Sequence, residues 1–322
     1  MNIGFYLKWN KYSLAGKEGN VLGDELYAES LANTFRSFPC IHSAEVYAPN
    51  YMPSKKLDAM IYLNDSEPLE RYSSKHVLYM QNNYGEGSEV ALNQFQSIGY
   101  DGFAFISNRL LNQHVADGYT GIYLPFGVDT ALFYPRKKQK EYVYDVAYIG
   151  NDIKGKERTN KYLFPARKYN FGLYGNWAIP KPGFRIWRHF IRHDEYKKVF
   201  EKISNGRIPQ EEVPILYSSS LINLNCTAQD CVNWDVITLR IYEVLACKGF
   251  LITDEVPLSA TSLDGCAVFT EGGEDLNEKI EYFLERPLLR DEISENGHQT
   301  VIKNASISAR ANELKNYLEG II

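Results

Sequence analysis

A glycine- and lysine-bearing segment in the middle of the chain could meet a phosphate. Its residues 150–157 are GNDIKGKE, which match the pattern G-x-x-x-x-G-K after a predicted strand. A nucleotide-binding P-loop needs Ser or Thr as the next residue, because that hydroxyl ligates magnesium. Glu157 stands there instead, and its carboxylate would repel phosphates. The segment therefore predicts a strand–loop–helix junction that offers amides and the cations Lys154, Lys156 and Arg158 to a phosphate. The alternative is a solvated, lysine-rich loop.

A second segment, DVITLRIYE, runs from Asp235 to Glu243 and combines two carboxylates with an arginine. On a helix, Asp235 and Glu243 would lie on neighbouring faces, since eight residues turn through about 800°. Arg240 and Glu243 are three residues apart and would share a face. A helix N-terminus with Arg240 beside it suits a diphosphate, and a carboxylate one turn deeper suits ribose hydroxyls. The alternative is a surface Arg–Glu pair on an amphipathic helix.

Alternating strands and helices must position these segments. Short apolar runs predict strands at Ile3–Leu7, Ala44–Tyr47, Ala59–Leu63, His76–Met80, Gly102–Ser107, Gly121–Leu124, Tyr144–Ile149, Tyr169–Tyr174, Ser220–Leu224 and Gly249–Thr253. Helical spacing lies between them, for example from Asp24 to Phe35 and from Ile237 to Ala246. This alternation predicts two α/β domains with parallel sheets, joined by a polar linker at Arg136–Glu141. We expect ligands outside the carboxyl ends of the strands, in the cleft between the domains.

Composition excludes several classes of protein. The 322 residues are 44% hydrophobic and 23% charged, with a formal net charge of -5, which fits a two-domain globular chain. A pI of about 5.8 argues against general nucleic-acid binding. Five irregularly spaced cysteines favour free thiols in a reducing compartment. No apolar window suits a signal peptide or a membrane span, so we expect a cytoplasmic protein.

A basic, aromatic segment interrupts this acidic chain. Residues 151–210 hold 14 Lys or Arg against 5 Asp or Glu. Within residues 177–200, an aromatic helical face beside arginines predicts a peripheral contact with an anionic membrane. The alternative is an aromatic face packed on the domain core. His189 and His193 have a helical spacing that could hold a metal, but basic residues surround them and no glutamate lies between them, so we expect no metal site.

Five segments between about residue 100 and residue 310 carry the pattern of one family, in the same order. They are Leu124–Asp129, Asp145–Gly150, Leu173–Trp177, Val213–Asn225 and Leu239–Asp254, the last with R-x-Y-E-x-x-A-x-x-G at Arg240–Gly249. Together they resemble the GT-B glycosyltransferases, and are most similar to the CgeB-like (spore maturation) family. The resemblance implies an α/β fold of the GT-B type, with two Rossmann-like domains facing across a cleft.

The resemblance also implies an activity. The chain would be a hexosyltransferase-like enzyme that moves a sugar from a nucleotide-diphosphate sugar to a hydroxyl of a saccharide or glycoconjugate acceptor, without a cofactor. Glu243 matches the family residue that binds ribose hydroxyls, and Asp235 falls where a residue contacts the donor sugar. Arg158 and Arg240 match basic positions suited to the diphosphate, and Gly150 matches the glycine after a donor-domain strand. The sequence has no D-x-D, the metal-chelating pattern of GT-A enzymes, which favours metal-independent chemistry.

The acceptor side offers two candidates for a catalytic base. If the enzyme inverts configuration, a base must reach the acceptor hydroxyl. Asp24, which ends the glycine-bearing loop 16–24, is the first candidate, and Glu86 is the second; alternatively, Asp24 is a helix N-cap.

We expect an acceptor-side domain at 1–138, a donor domain at 139–305 and a terminal helix at 306–322 that packs back on the first domain.

Two other functions fit the same fold. One is a non-catalytic nucleotide- or sugar-binding protein, and the other is a nucleotide-sugar epimerase.

Overall fold

The computed structural model describes residues 1–12, 23–63, 65–82, 85–179 and 194–322. The chain divides into two units, each built around a parallel sheet. Unit 1 comprises residues 1–130, 230–239 and 303–322. Unit 2 comprises residues 131–229 and 240–302.

The sheet of unit 1 has six strands in the order β2-β1-β3-β4-β5-β6. In chain order its first elements are β1 (Asn2–Tyr6), α1 (Gly23–Phe35), β2 (Ser43–Tyr47), β3 (Leu57–Tyr62), β4 (Ser73–Met80), α2 (Ser88–Gln96), β5 (Gly102–Phe105), α3 (Asn108–Ala116) and β6 (Ile122–Tyr123). Every strand pair is parallel. The strands are apolar runs because helices cover both faces of such a sheet.

The sheet of unit 2 has five strands in the order β11-β10-β9-β7-β8, again all parallel. From residue 131 onwards the elements are β7 (Val146–Ile149), α4 (Lys156–Tyr162), β8 (Phe171–Tyr174), α5 (Glu195–Ile203), α6 (Val213–Ser219), β9 (Ile222–Asn225), α7 (Gln229–Asn233), α8 (Leu239–Ala246), β10 (Leu251–Asp254), α9 (Pro257–Ser262), β11 (Val268–Thr270), α10 (Glu274–Leu284), α11 (Pro287–Asn304) and α12 (Ile307–Glu319). The ten predicted strands are confirmed within three residues at either end. The short strand β11 was not predicted.

Helix α12 belongs to unit 1, where it packs on α1. The Tyr317 hydroxyl accepts a hydrogen bond of 3.0 Å from the backbone N–H of Phe103 at the start of β5. A Cβ on Gly102 would come within 2.6 Å of Ile321, so the terminal segment lies tightly against this strand. Residues 303–322 therefore complete the first unit.

The aromatic segment 177–200 is described only in part. Trp177, Tyr196 and Phe200 are buried in the core of unit 2, where Trp177 and Phe200 meet edge to face with ring centroids 5.0 Å apart. These three side chains agree with the core-packing alternative. The remaining aromatic residues of the predicted membrane face, Phe184, Trp187 and Phe190, lie outside the described residues. Among the described residues, no helix combines the length and the apolarity that crossing a bilayer requires.

Two glycines join the ends of β7 and β8. The N–H of Gly150 donates to the carbonyl of Tyr174 at 2.9 Å, one step beyond the strand ladder. Gly175 has a φ of 124°, and a Cβ there would lie 2.1 Å from the carbonyl oxygen of Gly150. No side chain can occupy that space, because the nearest atoms belong to the backbone of Gly150 and Asn151.

We expect Gly175→Ala to destabilise the protein by about 3 kcal/mol or more, since a backbone clash adds to the cost of a positive φ. Gly206→Ala is the matched control: its φ is 74° but open space surrounds its Cβ position, so only the backbone cost of about 1 kcal/mol remains. Urea denaturation of both variants measures the difference. Equal losses would show that the close approach at Gly150 does not exist.

Candidate functional site

The carboxyl ends of β7, β9 and β10 lie at one edge of the unit 2 sheet, because the three strands are adjacent and parallel. β8 pairs with one side of β7 and β9 with the other, so the strand order reverses between β7 and β9. Open α/β sheets bind ligands in the crevice outside such a reversal. We call this edge the carboxyl edge.

A buried carboxylate organises the carboxyl edge. Asp254, the last residue of β10, is 1% exposed. Both of its carboxylate oxygens accept from the N–H of Thr227 at 3.0 Å, and one also accepts from the Thr227 hydroxyl at 2.9 Å. The amide of Asn225, which ends β9, donates to the same oxygen at 3.3 Å. These bonds compensate for the lost hydration of a buried charge.

Arg158 on α4 forms an ion pair with Asp254. All three of its guanidinium nitrogens donate to internal acceptors: Nη2 to the carboxylate, Nε to the Thr227 carbonyl at 2.5 Å and Nη1 to the Gln229 side chain at 2.9 Å. The guanidinium group is therefore fixed on the ends of β9 and β10. Sequence reasoning identified Arg158 but missed Asp254 as its partner.

Arg240 is tied to the same network from the other side. It is the second residue of α8, and its Nη1 donates to the Asn225 side-chain oxygen at 3.1 Å. Its guanidinium carbon lies 5.0 Å from the centroid of the Tyr148 ring on β7. Because Asn225 contacts both Arg240 and Asp254, the two arginines are held by one hydrogen-bonded cluster. Two fixed cations at one edge can bind a diphosphate.

Glu243 lies three residues beyond Arg240 on α8, on the same side of the helix. Burial raises the pKa of its carboxyl group to about 7, although the Arg240 charge and a hydrogen bond from Tyr217 act in the opposite direction. A carboxyl group with such a pKa changes charge near neutral pH. It can accept hydrogen bonds from sugar hydroxyls when ionised and donate one when protonated.

Asp235 does not lie on the helix that carries Arg240 and Glu243. The neighbouring-face geometry of Asp235 and Glu243 required a helix through both residues, and that condition is not met: α8 begins at Leu239 and Asp235 has a φ of 55°, outside the α-helical region. Its predicted contact with a donor sugar stays a prediction, without the helical geometry.

The two predicted catalytic bases belong to unit 1. Asp24 is the second residue of α1, within the first turn rather than at the N-cap, and its Oδ2 accepts from Asn82 at 2.9 Å. Glu86 is exposed and follows Gly85, which has a φ of 127°. Residues 13–22, which include most of the glycine-bearing loop before α1, lie outside the described residues. The catalytic roles of Asp24 and Glu86 stay predictions.

The G-x-x-x-x-G-K segment forms the junction between β7 and α4. Gly155 precedes the helix with a φ of 81°, and Lys156 forms an exposed ion pair with Asp194 at 2.8 Å. Asp152 pairs with Lys197 at 3.1 Å. Lys156 is thus engaged by a carboxylate, and the predicted contact of this segment with a phosphate stays a prediction.

The described residues contain no group of three or more His, Cys, Asp or Glu placed to hold a metal ion. His189 and His193 lie outside them.

Comparisons with known proteins agree with this architecture. Residues 158–316, which include the whole Arg158–Asp254–Arg240 cluster, match the family model described as "Glycosyl transferase-like". Sucrose-phosphate synthase from Thermosynechococcus elongatus superposes with a TM-score of 0.69 at 13% identity, over 100% of this chain and 99% of that one. No curated protein shows significant similarity to the sequence.

Two further structures contain bound nucleotides. HepE from Anabaena, in complex with UDP and glucose, has a TM-score of 0.64 at 12% identity, with 99% of each chain covered. The phage T4 protein BGT, in complex with its UDP-glucose substrate, has a TM-score of 0.60 at 14% identity, over 100% of this chain and 99% of that one. The chain therefore has the GT-B fold, with a six-stranded and a five-stranded parallel α/β unit. The family match and the fold together support a glycosyltransferase.

We expect Asp254→Asn to destabilise the protein by about 3 kcal/mol, because it leaves the nearly buried Arg158 charge without its partner. Lys156→Gln is the matched control, since it breaks the exposed pair with Asp194 and should change the stability little. Urea denaturation measures both. A similar small loss in the two variants would contradict a network built on the buried pair.

The raised pKa of Glu243 predicts a pH-dependent stability. The folded protein holds this proton up to a pH of about 7, whereas the unfolded chain releases it near the ordinary value of 4.5. The contribution of Glu243 to stability is therefore fully present below pH 4.5 and is lost as the pH rises through 7. Relative to wild type, Glu243→Gln should be more stable at pH 8 than at pH 5 by about 1–3 kcal/mol.

Denaturation of Glu243→Gln at both pH values tests this expectation. Glu278→Gln, at an exposed position on α10, is the control and should follow the wild type. A pH profile of Glu243→Gln that parallels the wild type would contradict the burial of an ionisable carboxyl group.

Proposed function

We propose that this protein is a nucleotide-sugar-dependent glycosyltransferase that works without a metal. The observation that carries the proposal is the pair of arginines fixed by Asn225 and Asp254 at the carboxyl edge, where the strand order of the unit 2 sheet reverses. Two of the fold relatives are bound to UDP or a UDP-sugar in their structures, which supports a nucleotide sugar as the donor.

The donor would bind through contacts that the cluster can supply. Arg240 and the remaining N–H groups of Arg158 would face the diphosphate. Charge on the leaving diphosphate grows in the transition state, and cations that are already fixed stabilise it without reorganising. The ionised carboxylate of Glu243 would accept from the ribose hydroxyls, and the backbone at Gly150 would allow close approach of the donor. Asp235 would contact the donor sugar.

The acceptor would be a saccharide or glycoconjugate that offers a hydroxyl group, and the sugar transferred would be a hexose. For an inverting reaction, Asp24 or Glu86 would remove the hydroxyl proton. We further propose the CgeB-like branch of the glycosyltransferases, a cytoplasmic role in polysaccharide or glycoconjugate synthesis, and a peripheral membrane contact through residues 177–200. The resemblance in the sequence and the basic composition of that segment support these finer assignments.

Incubation with a panel of nucleotide-diphosphate sugars, in the presence of EDTA, tests the proposal. We expect slow release of free nucleoside diphosphate that saccharide acceptors accelerate and EDTA leaves unchanged. Tight binding without turnover would instead identify a binding protein, and conversion to an isomeric nucleotide sugar would identify an epimerase. Activity that EDTA abolishes and a divalent metal restores would contradict the metal-free mechanism.

Two variants connect the activity to the site. Arg240→Ala and Glu243→Ala should each weaken UDP binding by about ten- to a hundredfold, the effect of losing one hydrogen bond to a charged group. Arg286→Ala, at an exposed position after α10, is the control and should bind normally. Calorimetry measures the affinities, and circular dichroism verifies the fold. Unchanged affinity in both site variants would overturn the assignment.

A further inference from the structure

The opposite edge of the unit 2 sheet contains a pocket. Its volume is about 360 Å³, within the range of small-molecule sites. Leu221 precedes β9 and Phe250 precedes β10, so the pocket lies at the amino ends of these strands. The carboxyl edge is at the other ends of the same strands. This pocket is therefore separate from the donor site proposed above.

Basic residues dominate the charged lining of the pocket. Arg136, Lys138, Lys248 and Arg290 line it, against one acidic residue, Asp291. The apolar remainder includes Leu221 and Phe250. A pocket with this lining suits a ligand that has a multiply charged anionic group and a small organic body.

The two arginines lack carboxylate partners. In the part of the chain that the structure describes, no carboxylate oxygen lies within 4.0 Å of the guanidinium nitrogens of Arg136 or Arg290. Arg290 is only 9% exposed, and its Nη1 donates to the carbonyls of Phe283 and Leu284 at the end of α10. Burial lowers the pKa of this guanidinium group, and the nearby charge of Asp291 acts in the opposite direction without reversing the shift.

Arg136 approaches the pocket from the segment before β7. Its guanidinium carbon lies 3.7 Å from the centroid of the Tyr134 ring, which fixes the planar group by stacking. Its Nε is buried and has no hydrogen-bond partner. Since an unpaired buried donor is costly, an incoming acceptor at this position would gain binding free energy.

Lys248 has a backbone conformation that is energetically unfavourable for a lysine. It follows the end of α8 with a φ of 57°, a left-handed conformation that glycine adopts most readily at helix ends. Residues held in such sparsely populated backbone regions cluster at functional sites. Lys248 therefore combines a conformational cost with a basic group at the pocket. Its Nζ also pairs with Glu295 at 2.5 Å, and because both side chains are well exposed, a more highly charged anion can compete for the ammonium group.

We propose that this pocket binds a phosphate ester, with Arg136, Lys248 and Arg290 around the phosphate oxygens. Arginine forks match the geometry of phosphate oxygens, and the lysine adds a third positive charge. The ester would belong either to a soluble phosphorylated compound or to the headgroup of a phospholipid, since both present the same group.

Hydrogen–deuterium exchange of the full chain with inorganic pyrophosphate tests the proposal locally. We expect protection of peptides that span residues 246–250 and 287–294, in the wild type and in Arg240→Ala alike. Arg240 belongs to the proposed donor site, so protection of these peptides in Arg240→Ala would show that pyrophosphate binds at the pocket independently of the donor site. Either proposal can therefore fail without the other. Protection limited to other peptides, or absent in both proteins, would overturn the pocket.

Matched variants assign the binding to the named side chains. The double variant Arg136→Gln/Lys248→Gly should need at least about tenfold more pyrophosphate for half-protection, because two charged contacts are lost. Lys168→Gln, an exposed lysine outside the pocket, should stay within about twofold of the wild type. Equal loss in Lys168→Gln would show a general charge effect and overturn the proposal.

The single variant Lys248→Gly separates binding from folding. We expect it to raise the urea midpoint, because the left-handed strain that glycine relieves outweighs the exposed pair with Glu295 that is lost, while weakening pyrophosphate binding. A stabilised variant with undiminished binding would remove Lys248 from the site and contradict the proposal.

Two further probes distinguish the sources of the ester. Glycerol 3-phosphate represents a soluble ester, and phosphatidylcholine vesicles that contain phosphatidic acid represent a lipid headgroup. Flotation of the wild type, but not of the double variant, with these vesicles would identify a lipid. Protection by glycerol 3-phosphate without flotation would identify a soluble ligand. If pyrophosphate, glycerol 3-phosphate and the phosphatidic acid vesicles all fail to bind, the proposal is overturned.

Discussion

The ion pair between Arg158 and Asp254 is the interaction on which the carboxyl edge of unit 2 depends. Removing both charges from water costs free energy, and their attraction alone need not recover it. Here the remaining acceptor capacity of Asp254 is filled by Thr227 and Asn225, so the buried carboxylate is fully engaged. Asn225 then holds Arg240. The position of Arg240 thus follows from the burial of the Arg158–Asp254 pair. The network fixes one geometry at this edge of the sheet and adds little net stability.

Helix α8 connects the two basic sites of unit 2. Arg240 is its second residue and contacts the end of β9, whereas Lys248 follows its last turn and lines the pocket at the start of β10. The helix runs antiparallel to the strands that flank it in sequence, as a crossover connection requires. Glu243 lies between the two ends, with a pKa raised to about 7 by burial. One short helix therefore brings a cation to each edge of the sheet and keeps an ionisable group between them.

The sequence predicts the strands well because parallel strands are buried on both faces and appear as continuous apolar runs. The strand β11 has only three residues at the sheet edge, too few for such a run. The apolar pattern continues upstream of Leu239, which is why the helix is predicted from Ile237, two residues before α8 begins. Arg158 and Asp254 are 96 residues apart, and only the order of the strands brings them together. No local pattern contains that information, whereas Arg240 and Glu243 are neighbours on one helix and could be predicted.

The packing of α12 on unit 1 has a consequence for how the chain folds during synthesis. Unit 1 takes residues 230–239 and 303–322 in addition to its first 130 residues, so unit 2 is translated before unit 1 has all of its parts. Until residues 303–322 leave the ribosome, α1 lacks its packing partner α12. The start of β5 likewise lacks its contacts with Tyr317 and Ile321. The nascent first unit would then expose apolar surface for as long as translation of the second unit takes, about ten seconds or more. Chaperone binding during that interval would favour the native arrangement over aggregation.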